Sequence, residues 1–447
     1  MSGFGDGGHN SPAGWATTAG KPGSGAVDAL LVIFLVLLFA LPARLVFPGF
    51  GAVGRPALLL GLGLAVLLFA GSFSRTTYSW TRNPGFLLLS IFALTNAASY
   101  AAGYDRGLLP LEATSTDRWM ISVTSWVAVA LAVMSWVRTM RQVEQLACVT
   151  VVLAALSGFV GILQFYGFDA VPFVRVPGLQ YNEALVGLGE RGGPQFNRVY
   201  GTAQHYIEFS VVLAACLPLA FFLLTSGARR RVKVVAALSA IVMVLAIPLA
   251  VSRAGVLCLA ILVACYLFAW RGRRRLWLTA GAIAAMVGLM VGAPGLLGTL
   301  RSAFENVDND PSIQNRLSDY STIATYFAER PLLGRGPGTF VPELYILLDN
   351  QLLGSLVATG ALGAAAWLSI LVWPIYVARA VRQTASLDVR NLGLAVGVSA
   401  LVLTVSALTF DGLSFPTYTG VFFLMVGLAS VAWNMASSDP SWPSRRK

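Results

Sequence analysis

The chain alternates between long apolar runs and shorter polar connections. A helix needs about 20 apolar residues to cross a hydrocarbon core of about 30 Å, and about twelve runs reach that length on this criterion. Their cores are 27–46, 56–73, 84–103, 119–137, 146–166, 207–225, 232–250, 254–270, 276–298, 351–378, 391–410 and 416–435. The runs are continuous, whereas a membrane β-barrel would show short alternating segments. The pattern therefore predicts an all-α polytopic integral membrane protein.

Composition supports this class and sets the predicted domain limits. Hydrophobic residues make up 56% of the 447 residues and charged residues only 11%, which is too little charge to cover a soluble protein of this length. We predict one transmembrane domain over 27–435. A Gly/Ser-rich tail over 1–26 precedes it and is predicted to be disordered, and a short tail over 436–447 follows it.

The distribution of basic residues predicts the orientation in the membrane. Most of the 31 basic residues fall in connections on one side, including Arg229–Arg231 and Arg273–Arg275, and basic connections prefer the cytoplasm. Both termini are then cytoplasmic. The net charge of +11 is explained by this belt facing anionic lipid headgroups, so it does not require nucleic acid. Two long polar loops, about 167–206 and 299–350, are predicted to lie outside.

The first long loop combines aromatic residues, amides and arginines. Arg198 precedes a Gly201-Thr202 turn, and the planar guanidinium fork suits a phosphate group. Arg191, Gln204 and His205 are further substrate-binding candidates. His205 can act as a base or as an interfacial polar tip. An interfacial segment anchored by its aromatic side chains is the alternative for the whole loop.

Several other polar residues have simpler interpretations. Arg253 opens an apolar run, where it either binds an anion or extends its side chain to the interface. The 104–118 connection is predicted to be a solvated turn. All four cysteines fall inside apolar runs and are predicted to be small core residues. Asp308–Asp310 lacks the glycine and the distal glutamate of a calcium loop.

The second long loop contains the most polar stretch of the chain. Residues 315–329 have helical apolar spacing and predict an amphipathic helix that carries Arg316 and Tyr320. Pro331 and the glycine-rich run around Arg335 end that helix. At the end of the loop, Asp349 and Asn350 precede a long apolar run.

Two carboxylates at the predicted outer face are candidates for acid–base chemistry. Asp349 is predicted to cap the helix that follows it. It can also serve as a general base, because partial desolvation raises the pKa of a carboxylate toward the useful range. Asp411 is either a second acid near the site or a turn residue before Gly412, and the turn is favoured.

The ordered motifs SRAG, NR followed by ERPLLGRGPGTF, and DNQLLGSLVATGALG resemble the O-antigen ligase and polymerase superfamily of the bacterial envelope. The resemblance runs from Arg198 to the C-terminal part. It implies an enzyme of the bacterial cytoplasmic membrane that transfers a glycan from a polyprenyl-diphosphate-linked donor, without metal or cofactor. The family arginines match Arg198, Arg253 and Arg316, which would hold the diphosphate.

The resemblance also bears on the acceptor. Ligases of the family typically carry His-Asn where this chain has Asp349-Asn350, which favours the polymerase-like members and a glycan hydroxyl as acceptor. A single displacement with Asp349 as base would invert the anomeric configuration. Asn350, Arg335 and Tyr320 are assigned to substrate binding.

Four readings of the function stay open: a polymerase, a ligase that uses a lipid or other envelope acceptor, a lipid-linked glycan flippase or transporter, and a cell-wall polymerase of the shape, elongation and division group. A transporter would place ionisable residues at the bilayer midplane and show two similar halves. The sequence shows neither feature.

Overall fold

The computed structural model describes residues 24–73, 83–182, 198–296, 298–299 and 322–439. The long helices are α1 Ser24–Phe39, α2 Pro56–Phe73, α3 Pro84–Asp105, α4 Pro110–Trp136, α5 Met140–Phe165, α6 Tyr206–Thr225, α7 Arg230–Leu249, α8 Arg253–Ala269, α9 Arg273–Gly292, α10 Gln351–Ala380, α11 Leu387–Ser406 and α12 Pro416–Ser437. Two short antiparallel strands, β1 Leu45–Val46 and β2 Gln180–Tyr181, pair with each other. Residues 322–329 are also helical.

The all-α polytopic class is confirmed. Among the described residues, nine helices are long and apolar enough to cross a membrane. Three shorter apolar helices accompany them, over Asp28–Phe39, Pro56–Ser72 and Arg253–Ala269. The prediction of about twelve spans and the predicted domain limits stay predictions.

Consecutive helices run in opposite directions. At one end of the bundle, the start of α6 meets the start of α12, where Glu208 accepts a hydrogen bond from the amide of Thr417 at 2.7 Å. At the other end, Asn83 before α3 donates to the carbonyl of Ser430 near the end of α12 at 3.0 Å. We call the first of these the loop end. It is where α2, α4, α6, α8, α10 and α12 begin.

The core is centred on α6, α11 and α12. Phe209, Leu217 and Phe422 are among its fully buried side chains. Helix α6 packs against α7 and α11, and α12 packs against α4. All four cysteines are unpaired and lie in helices. Cys216 and Cys258 are buried, which confirms their prediction as core residues, whereas Cys148 and Cys265 are partly buried.

Short polar residues and proline explain why several helices begin where they do. Asn83, Thr139, Ser252 and Ser386 each accept a backbone N–H of the first turn, a contact worth about 1 kcal/mol. Proline occupies the first position of α2, α3, α4 and α12, where its missing N–H costs no hydrogen bond.

The basic connections share one end of the bundle. Arg229–Arg231 precede or begin α7 and Arg273–Arg275 begin α9, so both groups lie at the end opposite the loop end. The structure thus places these basic residues on a common face, as the charge pattern predicted. Which compartment that face meets stays a prediction.

Candidate active site

Helix α10 is broken at Gly360, and a loop segment is inserted against the break. Gly360 has φ of 66° and ψ of −172°, which is not helical. The freed backbone groups are used by the preceding loop, because Ala361 N donates to Pro331 O at 2.8 Å and Gly336 N donates to Ala358 O at 2.9 Å. Residues 331–336 are therefore fixed on α10 by backbone hydrogen bonds.

The other side of this loop is tied to a buried carboxylate. Glu112 is fully buried and accepts hydrogen bonds from Arg106 and from the hydroxyl of Tyr345, each at 2.6 Å. Arg106 also donates to the carbonyl oxygen of Arg335 at 2.8 Å. Charged hydrogen bonds of this kind are short and strong. The expectation that the 104–118 connection is a solvated turn is wrong, since it contains this buried ion pair.

The side chain of Arg335 is occupied within the same network. It donates to Glu329 at 2.5 Å and to Tyr345 at 3.1 Å, and its guanidinium lies 5.0 Å from the ring centroid of Tyr326. Burial raises the pKa of Tyr345, and its hydrogen bond to Glu112 raises it further, so its hydroxyl stays a donor at neutral pH. These contacts fix the loop, and substrate binding by Arg335 stays a prediction.

The two polar residues that precede α10 have different structural roles. Asn350 caps the helix, accepting from the amides of Leu352 at 2.9 Å and Leu353 at 3.2 Å, and it donates to the carbonyl of Leu408 at 3.2 Å. The prediction that Asp349 is the cap is wrong, because Asn350 already fills that position. Asp349 is half-buried and makes no hydrogen bond or ion pair with the part of the chain that the structure describes.

A second carboxylate lies close to Asp349. Asp411, in the α11–α12 connection, accepts a hydrogen bond from the hydroxyl of Ser414. Burial raises its pKa to about 6, and the negative charge of Asp349 contributes to the increase. The connection is also held to α10, because Leu413 N donates to the side chain of Gln351 at 2.7 Å. Asp411 is thus both a turn residue and a neighbour of Asp349.

Arg198 and His205 meet at the start of α6. Arg198 donates a hydrogen bond to the hydroxyl of Tyr206, and its guanidinium lies 4.5 Å from that ring's centroid. His205 caps α6, with Nδ1 accepting from Ile207 N at 3.3 Å. Its ring lies 5.6 Å from the ring of Phe415, at the start of α12.

Gln204 belongs to a buried hydrogen-bond network at the loop end. Only 4% of it is exposed, and its side-chain oxygen accepts from Arg55 at 2.6 Å. The backbone amide of Gln204 donates to Glu208 at 2.9 Å, and Glu208 also accepts from the backbone amide of Tyr418 at 3.2 Å. These contacts join α2, α6 and α12, so the structure uses Gln204 to hold helices together.

Arg253 begins α8 beside the start of α6. The preceding Ser252 caps the helix by accepting from Gly255 N at 3.3 Å. A Cβ on Gly255 would come within 2.4 Å of Ser210, so the first turns of α8 and α6 are in close contact. Arg253, Arg198 and His205 therefore share one side of the loop end.

Three candidate residues, Arg191, Arg316 and Tyr320, lie outside the described residues, as does Asp308–Asp310. Helical residues 322–329 agree with the last part of the predicted amphipathic helix over 315–329. Among the described side chains, no group of three His, Cys, Asp or Glu residues is arranged to hold a metal ion.

A family model described as O-antigen ligase matches residues 238–368. This match supports the resemblance of the chain to the O-antigen ligase and polymerase superfamily. The matched part contains Arg253, Arg335, Asp349 and Asn350, and it begins after Arg198. No curated protein matches the chain.

Similarity to the O-antigen ligase family indicates a general type of activity. The apolar helices of the described residues and the family match indicate a multi-pass membrane protein, and that family implies glycan transfer with lipid-linked glycan substrates. The helix start that carries Asp349 and the helix break at Gly360 both lie inside the matched part.

Proposed function

We propose that the protein is a polymerase-like, metal-independent glycan transferase. It would transfer a glycan from a polyprenyl-diphosphate donor to a glycan hydroxyl, with inversion, at the outer face of the bacterial cytoplasmic membrane. The observation that carries this proposal is Asp349, a half-buried carboxylate without a hydrogen bond to the described residues, in the matched part of the chain. Asn350 performs the capping, so Asp349 is available to accept a proton.

The proposed reaction is a single displacement. The acceptor hydroxyl oxygen forms a bond to the anomeric carbon, and the bond from that carbon to the donor diphosphate breaks. The hydroxyl proton passes to Asp349, and the diphosphate leaves on the polyprenyl carrier. A positioned base typically contributes a factor of about 10² to 10⁴ in rate.

Arginines supply the charge that the leaving diphosphate requires. Arg253 begins α8, Arg198 contacts Tyr206 at the start of α6, and the first turns of these helices are in contact. Arg316 is assigned the same role by resemblance. Guanidinium groups stay protonated and bind phosphate with two parallel hydrogen bonds. Positioning and charge stabilisation account for most of the catalysis that this reaction needs.

The loop end is proposed to face outward. The basic groups Arg229–Arg231 and Arg273–Arg275 lie at the opposite end of the bundle, and short basic connections prefer the cytoplasm. Lipid-linked glycans exposed on the outer leaflet would then reach the starts of α6, α8 and α10.

Removal of the proposed base tests the mechanism. We expect Asp349→Asn to lower glycan transfer by the purified enzyme about 100-fold or more, because an amide cannot accept the proton. Asp117→Asn is the matched control, since Asp117 is an exposed carboxylate at the loop end that binds only Tyr100 and Tyr104 among the described residues. Undiminished transfer by Asp349→Asn would remove Asp349 as the base. Retention of anomeric configuration, determined by NMR of the product, would exclude a single displacement.

A ligase is the second candidate, because the matching family model is described as O-antigen ligase. The two activities leave different lipid intermediates when the enzyme is inactivated. Loss of a polymerase leaves carrier-linked single units, whereas loss of a ligase leaves carrier-linked polymer. Mass spectrometry of lipid-linked glycans from cells that carry Asp349→Asn distinguishes the two activities.

A further inference from the structure

A groove at the loop end runs between α1, α2, α4 and α12. Its volume is about 270 Å³. Its walls are mainly apolar and include Phe34, Leu38, Ala57 and Trp126. A cavity with such walls suits a hydrocarbon chain.

Two guanidinium groups line the same groove. Arg118 is exposed, and its guanidinium makes no hydrogen bond or ion pair with any residue that the structure describes. Its guanidinium lies beside Gly51, where an added Cβ would be 3.5 Å from Nη2. Arg55 is bound to Gln204 and to the carbonyl of Ala43. An apolar cavity lined by a guanidinium that has no partner among the described residues matches a hydrocarbon chain that ends in phosphate.

The groove is continuous with both parts of the candidate site. Ser414 lines it and donates a hydrogen bond to Asp411, the neighbour of Asp349. Ser115 also lines it and donates to the carbonyl of Gly338, in the glycine-rich loop, at 2.6 Å. A lipid headgroup at this position would lie beside the two carboxylates.

We propose that this groove holds the polyprenyl tail of the acceptor, a second carrier-linked glycan whose phosphate contacts Arg118. This inference rests on the proposed function. A general base must touch the acceptor hydroxyl, and the groove adjoins the carboxylates. The arginines that stabilise the donor diphosphate lie instead on the α6–α8 side. The α11–α12 connection separates the two sides, with Ser414 in the groove and Phe415 against His205.

The proposed occupant is a single-chain lipid, because the cavity is one groove with one cationic region, whereas a phospholipid brings two chains for each phosphate. The proposal places the isoprenoid chain along the apolar walls and the phosphate at Arg118.

Photo-crosslinking tests the site directly. The probe is a polyprenyl diphosphate with a diazirine on its tail, and the purified full chain is in nanodiscs that contain phosphatidylglycerol. We expect cross-linked peptides from α1, α2 and α4. Arg118→Ala should lower this labelling roughly tenfold, as expected for loss of a charged hydrogen bond. Ser122→Trp should lower it by filling the groove, because Ser122 lines the cavity and bonds only to its own helix.

Arg175→Ala is the matched control. Arg175 is an exposed loop-end arginine that does not line the groove and donates to the carbonyl of Pro172. In transfer assays with distinct donor and acceptor, Arg118→Ala should raise the KM for the acceptor about tenfold and leave that for the donor unchanged.

The possible failures are distinguishable. Labelling that maps only to α6 and α8 would overturn the groove while leaving the proposed function intact. Labelling of the groove that excess phosphatidylglycerol abolishes would overturn its selectivity for a polyprenyl chain. No labelling of any helix above that of a phosphatidylglycerol probe would overturn the polyprenyl substrate itself, and with it the proposed function.

Discussion

At the scale of single residues, the site depends on the different roles of the adjacent residues Asp349 and Asn350. Asn350 caps α10, whereas Asp349 keeps its carboxylate oxygens uncommitted to the described residues. Asp and Asn are about equally good caps, so the local sequence cannot decide which of the two fills the position. The donated bond from Asn350 to Leu408, which is distant in sequence, decides it in the fold.

Asp411 gives the molecule a defined pH dependence. Its pKa is raised to about 6 in the folded protein by burial, from an ordinary value of 3.8. The folded state therefore holds this proton more tightly than the unfolded chain does. The stability that this proton contributes is present at low pH and is lost as the pH rises through about 6.

Asp411→Asn should remove that dependence. At pH 7 we expect the variant to be more stable than the wild type by up to about 3 kcal/mol, since one pKa unit corresponds to about 1.4 kcal/mol. The difference should shrink as the pH falls toward 4. Thermal unfolding in one detergent from pH 4 to 7 measures it, with Asp117→Asn as the exposed control. A difference that stays constant with pH would contradict the assignment.

The sequence pattern predicted where candidate catalytic residues lie better than it predicted which polar residues have structural roles. The position of Asp349 at the mouth of an apolar run is visible in the pattern alone. The burial of Gln204 is not, because it depends on Arg55, which lies 149 residues away. Glu112 follows Pro110 in a recognisable helix-start pattern, but its contact with Tyr345 crosses 233 positions.

At the scale of elements, the break in α10 is the feature that the sequence concealed. Residues 351–378 read as one continuous span. The break forms because residues 331–336 supply hydrogen bonds to the backbone on both sides of Gly360. A membrane-embedded helix tolerates such a break only where other protein groups satisfy the freed backbone.

Gly360→Ala should destabilise the protein by roughly 2–4 kcal/mol, combining the cost of positive φ for alanine with that of the clash. A Cβ there would lie 2.3 Å from the carbonyl oxygen of Leu332, which cannot move aside easily. Gly354→Ala, in the same helix, meets nothing within 4 Å and should be neutral or stabilising. Thermal unfolding of the two variants provides the comparison. Equal stability of both would show that the break does not require glycine.

At the scale of the whole molecule, hydrophobic pattern predicted the helices well. Each of the long helices α1 to α12 overlaps one predicted apolar run. The length of an apolar run is a local property of the sequence, so it predicts helices without knowledge of tertiary contacts. The β1–β2 pair was not predicted, because it joins Leu45 to Tyr181 across a long sequence separation.

Orientation is a testable property of the complete bundle. In a background without native cysteines, we expect Phe173→Cys to react with a membrane-impermeant maleimide on intact cells. Phe173 is 77% exposed at the loop end. Ala385→Cys, exposed at the opposite end, should react only after the cells are opened, because that end carries the basic connections and such connections prefer the cytoplasm. The reverse result would invert the proposed orientation.

The contact between Glu208 and α12 has a consequence for biosynthesis. The Glu208 carboxylate accepts a hydrogen bond from the backbone amide of Tyr418, which is synthesised 210 residues later during translation. Until α12 enters the bilayer, this acid on α6 lacks the two backbone donors that stabilise its buried position, and a carboxylate buried without partners is costly. We therefore expect α6 to reach its final packing only after the last helix has been made.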